Sequence, residues 1–254
     1  MTVLLQVETV NKRFGGYFAL TNVTCQVWTG QIHALIGPNG AGKTTLFNVV
    51  SGVTRPTSGR ISFAGTDYTG RRADQVHAMG IARNFQSVRL FPGLSIFENV
   101  MIGCHARMGS VFRELISLPV PWPKAEREAR DRAAEVLASV GLDSRLSILP
   151  SELTLVDQRR LEIARALASN PRLLLLDEPA AGMNAAEVNQ LGRLIRKIRE
   201  SGVTILLVEH HTRLVMALAD RVTVLSAGSV IADGPPNVVQ RDAGVIAAYL
   251  GDGT

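Results

Sequence analysis

Cysteine, aromatic side chains and long apolar runs are all scarce in this 254-residue sequence, and each scarcity removes a class of protein. Its two cysteines, Cys25 and Cys104, lie far apart with no CxxC pairing and no Cys/His neighbours. That spacing excludes a disulfide framework and a clustered zinc site, and it suits a reducing compartment. Cys25 falls in the apolar-alternating stretch Val23 to Trp28 and reads as a buried structural thiol. No stretch approaches the ~18 uninterrupted apolar residues of a bilayer span, so the chain is not expected to cross a membrane by itself. The opening residues, MTVLLQVETVNKRF, lack a basic region followed by an apolar core, so no secretory leader is expected. Internal repeats and low-complexity tracts are also missing.

What is present is ordinary globular material, 46% hydrophobic and 19% charged, in a length that permits one large α/β domain or a core with a smaller insert. The net charge of +5 favours anions such as nucleotide, nucleic acid or an acidic membrane face, and suits a plain basic soluble protein equally well. Charge alone does not choose between them.

The first third reads as strands, Leu4 to Val10, Val23 to Trp28, Ile32 to Ile36 and Arg60 to Phe63, punctuated by Gly15-Gly16, Gly30 and Pro56 to Gly59. From about Asn99 to Leu149 the character changes. Prolines 119, 121 and 123 break the chain, and then Ala133, Val136, Leu137 and Val140 recur at helical spacing with Gly141 placed as a C-cap. The charges of this stretch, paired as Glu126/Arg130 and Glu128/Arg132, predict a solvated helix face. The last hundred residues return to strand-helix alternation. Leu173 to Leu176, Thr204 to Val208 and Arg221 to Leu225 read as buried strands, and Ala185 to Glu200 as a helix with one apolar stripe. That order predicts a largely parallel, covered sheet followed by a hairpin at Ala227-Gly228 and a short final helix.

Three motifs carry chemistry. GPNGAGKT, Gly37 to Thr44, fits G-x-x-x-x-G-K-[ST] and lies between a predicted strand and a helix continuing from Thr45. Glycines there let successive N–H groups curl into an anion nest at a helix N-terminus. Lys43 is expected to reach the β- and γ-phosphates, and the Thr44 hydroxyl to ligate magnesium. LLLLDEP, Leu173 to Pro179, is a buried strand ending in two carboxylates at the sheet edge where ligands collect. Asp177 suits the magnesium environment, and Glu178 the general base that takes a proton from water. VEHH follows the next strand, which brings His210 to the same edge, where an imidazole can sense a γ-phosphate; His211 reads as structural.

In this order the residues resemble the ATP-binding subunits of ABC transporters, over essentially the whole chain from Leu4 to Leu250. The resemblance implies an α/β fold: a P-loop NTPase core with a largely parallel sheet, an N-terminal antiparallel β subdomain and an inserted α-helical subdomain. The core would take 1–85 and 171–254, and the insert with its Q-loop and signature helix 86–170. Gln86, which alone would read as a surface glutamine, becomes the Q-loop residue, joining Glu178 and His210 in catalysis and Thr44 and Asp177 at the metal. Phe14 becomes the aromatic stack for adenine, and Ala181 to Asn184 the D-loop. Gly37, Pro38, Asn39, Gly40, Ala41, Gly42, Lys43, Thr44 and Thr45 would bind the nucleotide, with ATP and Mg2+ as cofactors.

One departure stands out. Where the family carries LSGGQ, this chain has LTLVDQ, with Thr154, Val156 and Asp157 in the segment that closes on a second subunit's nucleotide. Val156 in place of the second glycine predicts a weaker phosphate clamp, because a branched side chain adds bulk and restricts the backbone. The alternative is that Thr154 and the helix N-terminus suffice.

Within the family the chain looks most like the LivG type of branched-chain amino acid uptake subunit. That likeness implies transmembrane permease subunits, a second ATP-binding subunit packed head to tail, and an extracytoplasmic solute-binding protein acting indirectly. It also implies a place on the cytoplasmic face of the inner membrane and no nucleic-acid partner. Leu90, Phe91 and Leu94 are either contacts for the membrane subunits or core. Two rivals remain at this stage. A soluble ABC ATPase acting on DNA or ribosomes would usually carry two ATPase halves, zinc motifs or long coiled coils, and a weakly hydrolysing regulatory subunit sits poorly with Glu178 and His210.

Overall fold

The computed structural model describes residues 2–84, 90–104 and 122–250. Two long β-rich stretches flank Gly15, and its backbone at φ +58 turns them into a hairpin. Strands β1 (Val3–Phe14) and β2 (Tyr17–Trp28) pair antiparallel from Val3 opposite Trp28 to Phe14 opposite Tyr17. Both run further toward the turn than alternation alone indicated, because the irregular stretch around Thr9 (φ +44) breaks the period without ending the pairing. Val23, Cys25 and Val27 face inward. Burial pushes the Cys25 thiol up to about 12, with Asp233 adding to the effect, so it packs as a small apolar group.

Strand β3 (Ile32–Ile36) feeds helix α1 (Lys43–Val50). Strands β4 (Ser58–Phe63) and β5 (Thr66–Asp67) then complete an antiparallel sheet of order β2-β1-β4-β5. Helix α2 (Ala73–Ala78) leads to β6 (Ile81–Arg83), an element only three residues long. The remaining strands are β7 (Leu173–Asp177), β8 (Thr204–Val208), β9 (Arg221–Ser226) and β10 (Ser229–Gly234). They form with β3 and β6 a second sheet of order β10-β9-β3-β8-β7-β6, parallel except for the β9–β10 hairpin. Every residue of β3, β7 and β8 is buried, as expected of parallel strands covered on both faces. Such burial contributes about 1.5–3 kcal/mol per large aliphatic side chain before chain entropy is subtracted.

Helices cover one face. Helix α3 (residues 96–104), α4 (Trp122–Val140) and α5 (Leu155–Ala168) form the insert. In α4, Ala133, Val136, Leu137 and Val140 are buried, and Gly141 at φ +79 ends the helix. Gly103 of α3 lies so close to α5 that a Cβ there would meet the Arg165 carbonyl oxygen at 2.1 Å. Helix α6 (Ala185–Glu200) starts at Asn184, whose side chain caps it while Glu187 returns the bond. Short helices α7 (Thr212–Leu218), α8 (Pro236–Val239) and α9 (Ala243–Leu250) finish the chain. The insert helices share one buried cluster with α6 and a face of the parallel sheet, while α1 and the antiparallel sheet share another with the opposite face. Among the described residues no helix is long and apolar enough to cross a membrane.

At the N-terminal edge of the parallel sheet a polar chain runs from the exposed Asp233 inward to the buried Thr223 and His33. Asp233 accepts a hydrogen bond from the Thr223 hydroxyl at 3.0 Å, and that hydroxyl is 2.7 Å from His33 Nε2. A hydroxyl has one proton, so with it directed at Asp233 the His33 Nε2–H is the donor and Nδ1 accepts from Gln31 Nε2 at 3.1 Å. The neutral ring is thus fully used. Burial drives its pKa down to about 4, Asp233 opposing and Arg221 assisting.

Candidate active site

The carboxyl ends of β3, β7 and β8 point at one edge, and the chain leaves each of them carrying a functional group. After β3, Gly37 (φ +149) passes so near the end of β9 that a Cβ would lie 2.0 Å from the Leu225 carbonyl oxygen. Gly42 (φ +103) is wedged against β2, where a Cβ would meet Ala19 O at 2.6 Å. No side chain caps α1 and no acidic residue stands in its first turn, which leaves the positive end of the helix dipole to an external anion. Lys43 is buried and folds its ammonium back across the loop, donating to the carbonyls of Gly37 and Pro38 at 2.8 Å each. Burial lowers its pKa, opposed by the charges of Glu178 and Asp177. Thr44 is exposed.

Asp177, the last residue of β7, is 2% exposed and held from two sides. Arg83 Nη2 donates to its carboxylate at 2.7 Å, while Nη1 reaches Asn48 Oδ1 (2.7 Å) and Ser51 Oγ (3.0 Å), the first on α1 and the second capping its end. Asn84 Oδ1 accepts the Asp177 N–H at 2.9 Å. Glu178 follows with φ +48, a left-handed backbone that is strained for this residue type and must be held by its surroundings. Its Oε1 lies 2.8 Å from His210 Nε2. A cleft of about 300 Å3 is lined by Tyr17, Ala19, the loop from Asn39 to Thr45, Glu178 and His210. It gathers main-chain donors, an ammonium, a carboxylate and an imidazole, the set that phosphoryl transfer to water requires. Gln86 lies outside the described residues.

Comparison with known proteins agrees. The family model for "ABC transporter" matches residues 20–181. The chain belongs to the ABC transporter family. A second model, "Branched-chain amino acid ATP-binding cassette transporter", matches residues 229–254. The chain is 41% identical over 251 residues to the high-affinity branched-chain amino acid transport ATP-binding protein LivG of Escherichia coli K12, covering 98% of each. It superposes on a nucleotide-free ATP-binding cassette from an ABC transporter with TM-score 0.87, at 29% identity, covering 99% of this chain and all of the other. It also matches a dimeric post-hydrolysis state of an ATP-binding cassette bound to ADP and Pi. There the TM-score is 0.76 at 25% identity, over 92% of this chain and 99% of that one. The protein is an ATP hydrolase with the ABC cassette fold.

Two further parts of this ABC cassette bear on the expected site. Phe14 is 52% exposed and its ring lies 4.7 Å from Lys12 Nζ, whereas the hairpin aromatic on the cleft wall is Tyr17. In the signature segment, Thr154 caps α5 by accepting the Asp157 N–H at 3.3 Å, and Asp157 pairs with Arg145 (3.0 Å) and Arg160 (2.9 Å). Val156 is 6% exposed and packs into the core shared by the insert helices and the sheet. Its bulk therefore faces inward, and the apolar side chain standing out at this turn is Leu155, 39% exposed, beside Gly182.

The motif reading passed over Tyr17, Arg83, Asn84 and Glu209. The signals were slight: an arginine and an asparagine closing a three-residue strand, and an acidic residue placed just before the expected histidine.

Proposed function

We propose that this ABC ATPase drives uptake of branched-chain or related amino acids from the cytoplasmic face of the inner (plasma) membrane. The observation that carries this reading is end-to-end similarity to LivG, joined to the match of residues 229–254 with a branched-chain amino acid cassette model. The core is taken as 1–85 with 171–254, and the helical insert as 86–170.

In the proposed cycle the main chain from Gly37 to Gly42, shaped by Pro38, Asn39 and Ala41, cradles the polyphosphate. Lys43 exchanges its carbonyl partners for phosphate oxygens, and Thr45 continues the helix that presents the dipole. The hydroxyl of Thr44, the carboxylate of Asp177 and the amide oxygen of Gln86 are hard oxygen donors, a set that fits magnesium. Bound there, the ion supplies positive charge against the phosphate oxygens. Asp177, paired with Arg83 at 2.7 Å, would lend its negative charge to holding the ion. Glu178 takes a proton from the attacking water, and His210, which can donate its single Nε2–H to that carboxylate 2.8 Å away, stands beside it where the γ-phosphate is expected. The hairpin aromatics Phe14 and Tyr17 receive adenine.

A second ATP-binding subunit packs head to tail, so that the turn bearing Thr154, Val156 and Asp157 faces its nucleotide. A groove of about 710 Å3 walled by Leu94, Phe97, Met101 and Leu146, with Glu98 and Arg130 at its rim, receives the transmembrane permease subunits. The solute-binding protein acts through them, and nucleic acid has no part.

The test is reconstitution with two permease subunits and a binding protein in vesicles. Leucine added with its binding protein is expected to raise ATP turnover several-fold. A complex that forms yet turns over ATP at one rate with leucine, a sugar or no solute would sink the assignment.

A further inference from the structure

Glu209 follows the last residue of β8 and is 4% exposed, behind the loops that carry Glu178 and His210. One carboxylate oxygen accepts the N–H of Ala180 at 2.7 Å. The other accepts the N–H groups of His210 at 3.0 Å and His211 at 3.2 Å. Three main-chain donors from two loops, 29 residues apart, thus converge on one buried anion. The turn after β7 is tied to β8 at both of its ends. The Glu178 N–H donates to Val208 O at 2.9 Å, and two residues on, Ala180 donates to Glu209. Between these anchors lies the left-handed Glu178, and the same carboxylate holds the backbone of His210, whose ring meets Glu178.

We propose that Glu209 is a positioning residue for ATP hydrolysis: it locks the Glu178 turn to the His210 turn, so that the carboxylate and the imidazole keep their separation throughout the cycle. The proposal rests on the reading of Glu178 as the base. Glu209 is buried behind the loops and acts through their main chain. An ionised carboxylate only accepts, which suits three N–H donors. A glutamine in its place turns an NH2 toward at least one of them, and an aspartate is too short to bridge from its own loop to Ala180.

The experiment uses the full chain as wild type, Glu209→Gln, Glu209→Asp, Glu178→Gln, His210→Ala and the Glu209→Gln/His210→Ala pair. Steady-state and single-turnover hydrolysis, affinity for a fluorescent ATP analogue, and amide hydrogen exchange at Ala180, His210 and His211 are measured. Glu209→Gln is expected to lower kcat at least tenfold while KM and analogue affinity move less than threefold, with faster exchange at the three amides. Glu209→Asp should fall between, keeping protection at His210 and losing it at Ala180. In the His210→Ala background the added loss should shrink below threefold. A folded Glu209→Gln with kcat within twofold of wild type overturns the proposal, as does an undiminished tenfold loss without His210. If Glu209→Gln does not fold, full wild-type turnover by Glu209→Asp overturns it. Wild-type hydrolysis by Glu178→Gln would instead remove the base, and the brace with it. Failure of the brace alone leaves Glu178→Gln slow and Glu209→Gln fast.

Discussion

Two helices of this chain start where a phosphate is expected, and they start in opposite ways. Helix α1 begins at left-handed Gly42, with no side-chain cap and no acid in its first turn. Helix α5 begins at Thr154, whose hydroxyl already takes an orphan N–H, with Asp157 in the first turn matched by Arg145 and Arg160. The first is left for a ligand to complete, and the second is completed by its own sequence. A helix N-terminus becomes a strong anion site when the chain withholds its own cap, so the dipole and the free N–H groups remain for an external charge.

The sharpest way to break that contrast is to give the open helix a side chain. Gly42→Ala places a Cβ 2.6 Å from Ala19 O and imposes φ +103 on alanine, so ATP turnover should fall at least about 100-fold. Affinity for a fluorescent ATP analogue should fall in parallel with that loss, and full retention of both would show that the loop tolerates a side chain at Gly42. At α5 the expected effect is on stability. Val156→Gly empties a core position inside a helix and should cost about 2–4 kcal/mol in urea unfolding. Leu155→Gly should cost about 1 kcal/mol while leaving the core packed, which makes it the cleaner probe of bulk at the signature turn. Equal costs for the two would contradict the inward packing of Val156.

His33 extends the comparison to a group completed entirely within the protein. In the fold it stays neutral down to about pH 4, whereas its unperturbed value is 6.5. Between those limits the unfolded chain binds the extra proton, so stability is complete above pH 6.5 and falls as pH drops toward 4. The loss is up to about 3 kcal/mol. Replacing His33 with asparagine should flatten that slope in melting curves taken across the window. Thr154→Ala should cost about 1 kcal/mol by calorimetry, a loss α1 has no cap to suffer. The smallest effect is expected at the hairpin, where Tyr17→Ala should raise KM for ATP a few-fold, for a stacking contribution of about 1 kcal/mol. If Phe14→Ala raises it more, the cleft wall is not where adenine rests.

Much of this was readable beforehand, for reasons particular to each element. Gly37 to Thr44 announces itself because close main-chain approach admits only glycine at Gly37 and Gly42. Strands β7 and β8 show as bare apolar runs because both faces are covered. Helix α4 shows its stripe because its other side is solvated, and Gly141 marks its end. The three-residue β6 is too short to display a period. The inward turn of Val156 depends on where α5 begins, and a one-residue change in that start rotates the side chain by about 100°. Arg83 and Glu209 were missed because a buried charge is legible only once its partners are assembled.

The contact at Gly103 has a mechanical consequence. With α3 seated directly on the main chain of α5, there is no room for a side chain at Gly103, and any larger residue there must push the two helices apart.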